Sequence, residues 1–260
     1  MASGLEHRVV TGESYPVVKL TGVLDTAAAP TVRYALLDVL SGQPEALVVD
    51  VSDLRVTDPD GVGVFRDVAR DTTDWPDAHM VICGAGDAAL WQSAGLPVWP
   101  DQAGAFAALG SPDAGNRLYI DLEPVIGAAR RSRELATEAC GRWDCPELAG
   151  PACIVLTEMV NNVVVHARTA MTVLLARHGE TMSVAVRDHS TTVPHYVGMP
   201  APSDYGGRGL LLIDSMASRW GNLRLGDGKV VWALLQSDHG SVSPGRPQMH
   251  SAGMADPAHG

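Results

Sequence analysis

Glu158-Met-Val-Asn-Asn162-Val-Val-Val-His166-Ala167 combines an apolar helix with three polar side chains spaced by four. Residues at i and i+4 stack along a helix, so Glu158, Asn162 and His166 share one face. Val155, Met159, Val160, Val163 and Val164 occupy much of the rest. Two roles fit this pattern: an exposed polar stripe on an amphipathic helix, or the polar floor of a pocket. An acid, an amide and an imidazole are costly to bury without partners. The crowding of Val and Met around them favours the pocket. There a carboxylate can serve as a general base and an amide oxygen can ligate Mg²⁺.

Two further features lie downstream. Asp188 ends an apolar strand near 182–187 and precedes a Pro-containing, poorly periodic stretch, 189–205. A loop of that length in a compact domain is usually a lid or a binding loop. Taken alone, Asp188 reads as a strand-ending turn residue. Gly206-Gly207-Arg208-Gly209 then runs directly into Leu210-Leu211-Leu212-Ile213. Glycines let backbone approach a ligand, a helix N-terminus offers free N–H groups, and Arg208 adds a bidentate phosphate donor. An isolated Gly-rich turn is weak evidence by itself.

The surrounding pattern predicts a strand at 117–121, helices near 125–143 and 146–167, and a hairpin of 171–176 with 182–187. A helix at 209–217 and strands at 220–225 and 229–235 follow. Helices running into a strand meander imply an α+β two-layer sandwich.

In this order and at these separations, the three features resemble the ATP-binding module of the GHKL superfamily, the Bergerat fold. The closest likeness is to anti-sigma factors that are serine/threonine kinases of that fold. The resemblance covers residues 117–236. Its N box is Glu158 to Ala167, its Asp box Val184-Ala-Val-Arg-Asp188-His-Ser, and its glycine box Gly206-Gly-Arg-Gly209-Leu-Leu-Leu-Ile-Asp214. Arg219-Trp220-Gly221 and Gly228-Lys229-Val230-Val231-Trp232 close the module. The resemblance implies ATP and Mg²⁺ as cofactors. It implies Glu158 as general base, Asn162 as Mg²⁺ ligand and Asp188 as acceptor for the adenine amino group. Gly206, Gly207, Arg208 and Gly209 would hold the phosphates, with 189–205 as the ATP lid. The chain departs from the family in having Val230, where a Thr often follows the Lys, and His189-Ser190, where glycines usually follow the Asp.

Upstream, Val-rich strands near 15–20, 46–51, 79–83 and 98–99 alternate with helices near 27–40, 61–70, 87–94 and 102–109. Such alternation implies an α/β unit with a mostly parallel sheet. Val18-Lys-Leu-Thr-Gly22-Val-Leu-Asp25, Leu47-Val-Val-Asp50-Val-Ser52 and Val56-Thr-Asp58-Pro59-Asp60-Gly61-Val-Gly63-Val resemble a STAS domain, the fold of anti-sigma factor antagonists. In that family a phosphorylatable Ser follows the Asp of the third stretch. Here Pro59 and Asp60 follow Asp58. Pro is comfortable at a helix start and accepts no phosphate. Asp60 is either a favourable cap charge or a crude stand-in for phosphoserine. Ser52 and Thr57 are other hydroxyls nearby.

Composition agrees with two units. Residues 1–115 carry 6 basic and 16 acidic side chains, residues 116–236 carry 12 of each, and the whole chain of 260 residues has a formal charge of −11. That balance argues against direct nucleic-acid binding and against anionic membranes. No uninterrupted apolar run approaches a spanning length and no signal peptide is visible, so a cytoplasmic location is expected. Cys83, Cys140, Cys145 and Cys153 then stay reduced, and their spacing matches no common zinc pattern. The turn-rich segment Gly110-Ser-Pro-Asp-Ala-Gly-Asn116 falls where the charge changes. The expected domains are 1–112 (STAS-like), 113–116 (linker), 117–236 (GHKL ATPase-like) and 237–260 (disordered tail).

The two resemblances together imply a partner-switching regulator of transcription, an anti-sigma-type kinase fused to a STAS domain that lacks the usual Ser. Its expected partners are a sigma factor, a separate STAS-domain protein, or its own STAS domain in cis or in trans. A homodimer is compatible with these. The alternative is an adaptor that binds such partners, with or without sensing nucleotide, and transfers no phosphoryl group. A GHKL ATPase without a protein substrate is a third.

Overall fold

The computed structural model describes residues 4–113, 115–192 and 208–237. It divides the chain into two compact units, Met1–Ala114 and Gly115–Gly260. Alternating Val, Leu and Ile residues build the sheet of the first unit. Strands β1 (Glu6–Val10), β2 (Val17–Leu24), β3 (Ala46–Val56), β4 (His79–Cys83) and β5 (Val98–Trp99) lie in that order. β1 pairs antiparallel with β2, and the remaining neighbours are parallel, giving a mixed sheet.

Helices α1 (Ala29–Leu40), α2 (Gly63–Asp71), α3 (Ala88–Trp91) and α4 (Gln102–Leu109) connect the strands. Val17, Val48 and Val81 sit in register on one face, with Ala105 of α4 buried against them and Phe106 packed alongside. Their neighbours Val18, Val49 and Ile82, all fully buried, serve the other face, because successive strand residues point oppositely. Sequence periodicity did not predict β1. Its residues Glu6-His7-Arg8-Val9-Val10 are mostly exposed, so no buried face marks them as a strand.

The second unit is a two-layer α+β sandwich. Its sheet has the order β6 (Arg117–Leu122), β7 (Met171–His178), β8 (Thr181–Asp188), β10 (Lys229–Gln236), β9 (Arg219–Arg224), with every pairing antiparallel. Val173, Val186 and Val231 lie opposite one another, as do Leu175, Val184 and Ala233. These residues form one core with Leu135, Ala136 and Ala139 of α5 (Ala128–Arg142) and with Val155, Leu156, Met159 and Val160 of α6 (Ala149–Asn162).

The helix predicted over 146–167 has three parts. A 3₁₀ turn covers Pro146–Leu148, α6 follows, and a π-helical turn covers Val163–Ala167. The Arg168 N–H donates to the Val163 carbonyl at 2.7 Å, and Arg168 ends the turn at φ 55°. The 22-residue stretch Pro146–Ala167 holds an 18-residue window of mean hydropathy 1.6 and is long and apolar enough to cross a membrane by that measure. The absence of an uninterrupted apolar run had suggested otherwise. Scattered polar residues such as Glu158 and Asn162 break the run while leaving the average high. Here the apolar side chains of α6 form the core beneath the sheet. Helix α7 (Arg208–Met216) buries Leu210 and Ile213 in the same core.

Candidate functional site

Three elements of the second unit converge on a cavity of about 340 Å³. The end of α6 and the π turn contribute Met159, Asn162, Val163, His166 and Ala167. The sheet contributes Val186, Asp188, Lys229 and Val231, and the start of α7 contributes Gly209 and Leu210. Ser190 and Thr192 complete the wall. Asn162 and His166 remain on one side despite the π turn, and π turns are frequent at functional sites. Asn162 is half-buried and His166 is exposed at the rim.

Glu158 is placed differently. It is half-buried and is not a wall residue of the cavity. Its carboxylate lies against Gly209, where a Cβ would come within 2.6 Å of Glu158 Oε2. The glycine therefore lets α6 and the start of α7 approach around the acid. Arg208 opens α7. Gly206, Gly207 and the lid stretch 193–205 lie outside the described residues, as does 238–260 of the expected tail.

Asp188 and Lys229 form the polar end of the cavity. The β8–β10 register sets the two directly opposite each other. Lys229 Nζ donates to Asp188 Oδ1 at 2.9 Å and to the Ser190 carbonyl at 3.2 Å. The Ser190 N–H also donates to Asp188 Oδ1, at 2.7 Å. The two side chains are only 6% and 1% exposed, yet both border the cavity. Removing one partner of such a pair typically costs about 3–5 kcal/mol, because a charge is left buried alone. Gly228 makes the arrangement sterically feasible, since a Cβ there would sit 2.0 Å from the Asp188 carbonyl oxygen. No role for Lys229 followed from the sequence. The available signal was a lone cation opening the apolar run Val230-Val-Trp-Ala-Leu-Leu235.

The neighbouring His189 and Arg187 are tied to the exposed Asp227, with His189 Nδ1 at 3.4 Å and Arg187 Nη2 at 3.2 Å from its carboxylate. His189 therefore belongs to a surface cluster beside the Asp box. A polar end with donor and acceptor, flanked by Met159, Val163, Val186, Leu210 and Val231, suits a flat heteroaromatic ring. The Asn162 amide, also on the cavity wall, supplies a hard oxygen donor of the type that Mg²⁺ takes.

In the first unit, the Asp58 carboxylate accepts the Asp60 N–H at 3.1 Å and caps the 3₁₀ turn Pro59–Val62. Asp60 is exposed. Ser52 donates its hydroxyl to Asp50 Oδ1 at 2.6 Å and its N–H to the same oxygen at 2.9 Å, while Gln102 donates to Oδ2 at 2.8 Å. Burial pushes the Asp50 carboxyl up. The Ser52 and Gln102 bonds, with the Lys19 charge, more than offset this and hold it below the usual carboxylate value.

Residues 124–234 match the family model of the histidine kinase-like ATPase domain. The second unit thus carries a domain of that family. Among solved structures, an anti-sigma factor antagonist from Mycobacterium paratuberculosis is 18% identical, with a TM-score of 0.36 over 42% of this chain and 96% of that one. A variant of RsbS from Moorella thermoacetica is 20% identical, with a TM-score of 0.34 over 40% and 94%. The histidine kinase domain of a blue-light activated histidine kinase from Erythrobacter litoralis is 19% identical, with a TM-score of 0.28 over 50% and 71%. No curated protein matches the chain.

Proposed function

We propose that the chain is a cytoplasmic partner-switching regulator whose second unit binds Mg·ATP and phosphorylates a serine of a partner protein. The observation that carries this is the convergence of Asn162, Asp188 and Gly209 on one cavity within a histidine kinase-like ATPase domain. Asp188 receives the exocyclic amine of the base. Asn162 offers its amide oxygen to the metal, which when bound neutralises phosphate charge. The Gly206–Gly209 segment and Arg208 hold the phosphates. Glu158, held beside Gly209 at the start of α7, takes the proton from the incoming hydroxyl.

The first unit, STAS-like in its motifs, has no Ser after Asp58. It therefore acts as a regulator, in cis or in trans, and the acceptor is a separate STAS-domain protein or a sigma-factor complex. Asp60 gives it a permanent negative charge one residue beyond the position where family members gain one by phosphorylation. Residues 113–116 join the units, and a homodimer is one assembly in which they could meet in trans. The second reading, a nucleotide-sensing adaptor without phosphoryl transfer, is favoured by the departures from the family at Val230 and His189.

Titration with Mg·ATP tests the site first. Binding by the wild type that is lost in Asp188→Asn is expected, and no binding to the wild type defeats every nucleotide reading. Transfer of labelled γ-phosphate to a Ser-bearing STAS protein, abolished in Glu158→Ala, separates kinase from adaptor. Binding without Glu158-dependent transfer selects the adaptor.

A further inference from the structure

A carboxylate alone at the base-binding end of a pocket accepts hydrogen bonds and donates none. It suits adenine, whose 6-position carries an amino donor, and repels guanine, whose 6-position carries a carbonyl acceptor. The pocket of this protein does not end in a carboxylate alone. Asp188 is paired across the β8–β10 register with Lys229, and both side chains border the cavity. Two bonds converge on Asp188 Oδ1, from Lys229 Nζ and from the Ser190 N–H. Among the described residues, Oδ2 is left as the acceptor for a ligand.

An ammonium has three N–H donors. Among the described residues, those of Lys229 go to Asp188 and the Ser190 carbonyl, which leaves one. The end of the cavity therefore offers one acceptor and one donor side by side. An adenine edge answers with its amino group and a ring nitrogen. A 6-oxopurine edge answers equally well, with the carbonyl facing Lys229 and the ring N1–H facing Asp188. The ion pair also cancels the charge that would otherwise repel a carbonyl oxygen.

We propose that Lys229 is a specificity-determining residue that opens the nucleotide site to 6-oxopurine nucleotides, so that GTP binds alongside ATP. This rests on the nucleotide-binding reading above and extends it to the class of ligand. The residue acts at the base, far from phosphoryl chemistry, so it changes which nucleotide binds and leaves the mechanism of transfer untouched.

Equilibrium titration of the full chain with Mg·ATP and Mg·GTP tests the proposal. Wild type is expected to bind GTP no more than about tenfold more weakly than ATP, whereas a bare carboxylate would discriminate by roughly 100-fold or more. Lys229→Thr should raise the ATP preference at least tenfold, and Lys229→Arg, which keeps a cation opposite Asp188, should retain GTP binding. Circular dichroism checks that the variants fold. If Lys229→Thr unfolds, the wild-type ratio and Lys229→Arg still decide. ATP bound with GTP weaker by more than about tenfold, or a ratio unchanged in folded Lys229→Thr, overturns the proposal while leaving the ATP reading intact. Failure of the wild type to bind either nucleotide overturns both.

Discussion

Gly228 has no room for a side chain, and that fact organises the polar end of the pocket. A Cβ at this position would lie 2.0 Å from the Asp188 carbonyl oxygen and 2.8 Å from His189 Cα, both backbone atoms that cannot swing away. Gly228→Ala must push β10 off β8 where Lys229 meets Asp188. A loss of about 1–3 kcal/mol is expected in urea denaturation, on the scale of overpacking, together with loss of nucleotide binding. Gly209 presents the opposite case. The nearest atoms to a Cβ there belong to the Glu158 side chain, with the carboxylate, the far end of a flexible side chain, closest at 2.6 Å. Gly209→Ala should therefore leave the denaturation midpoint nearly unchanged while displacing Glu158. A fall in phosphoryl transfer with wild-type stability is the expected signature. A variant equal to wild type in both would separate Glu158 from catalysis.

Helix α6 does two jobs with two faces. Leu156 and Val155 are fully buried in the core, while Asn162 at its end faces the cavity. Leu156→Ala removes three heavy atoms from the centre of the second unit's core and should cost about 2–5 kcal/mol, read as a lowered denaturation midpoint. Bound nucleotide should recover part of that loss, since a ligand specific for the folded state stabilises it by mass action. The π turn after α6 is set by local backbone bonding, with Arg168 closing it in the left-handed region. Helical periodicity extrapolated through 167 predicts the same polar ridge, because Asn162 and His166 still face one cavity. It says nothing of Glu158, whose carboxylate position depends on where α7 begins.

Across the whole molecule, buried thiols couple stability to alkaline pH. Burial, aided by the Asp50 and Asp101 charges, pushes the Cys83 thiol up to about 12 from an ordinary value of 9. Burial together with Cys145 does the same to Cys140, also to about 12. In the unfolded chain these thiols ionise near 9, so between roughly pH 9 and 12 the unfolded state holds fewer protons than the folded one. By linkage, stability is full below pH 9 and falls as the pH rises through that window. Denaturation midpoints measured from pH 8 to 11 should decline, and less steeply in Cys83→Ala. A flat profile in the wild type would show that these thiols are not protected in solution. The acidic balance behaves differently: residues 1–115 hold most of the −11 charge, a sequence property that needs no fold to express.

Much of this organisation was legible in the chain itself. Short Val-rich apolar runs marked β2 to β5 and β7 to β10, because strands buried on both faces are apolar throughout; 117–121 marked β6, and the exposed β1 left no such run. The spacing of Glu158, Asn162 and His166, with Asp188 and the glycines, carried the family resemblance because a helix face and a strand end are local facts. Pairing is not local. That Lys229 would stand opposite Asp188 depends on the register between β8 and β10, which are 41 residues apart along the chain. The separation of Asn162 from Glu158 at the cavity wall depends on the docking of α7 onto α6. Sequence by itself determined which elements form and which polar residues are candidates, since propensity and periodicity act over a few residues. Only the tertiary structure decided which of those groups meet, because a charge in the low-dielectric interior is defined by the partner that packing supplies.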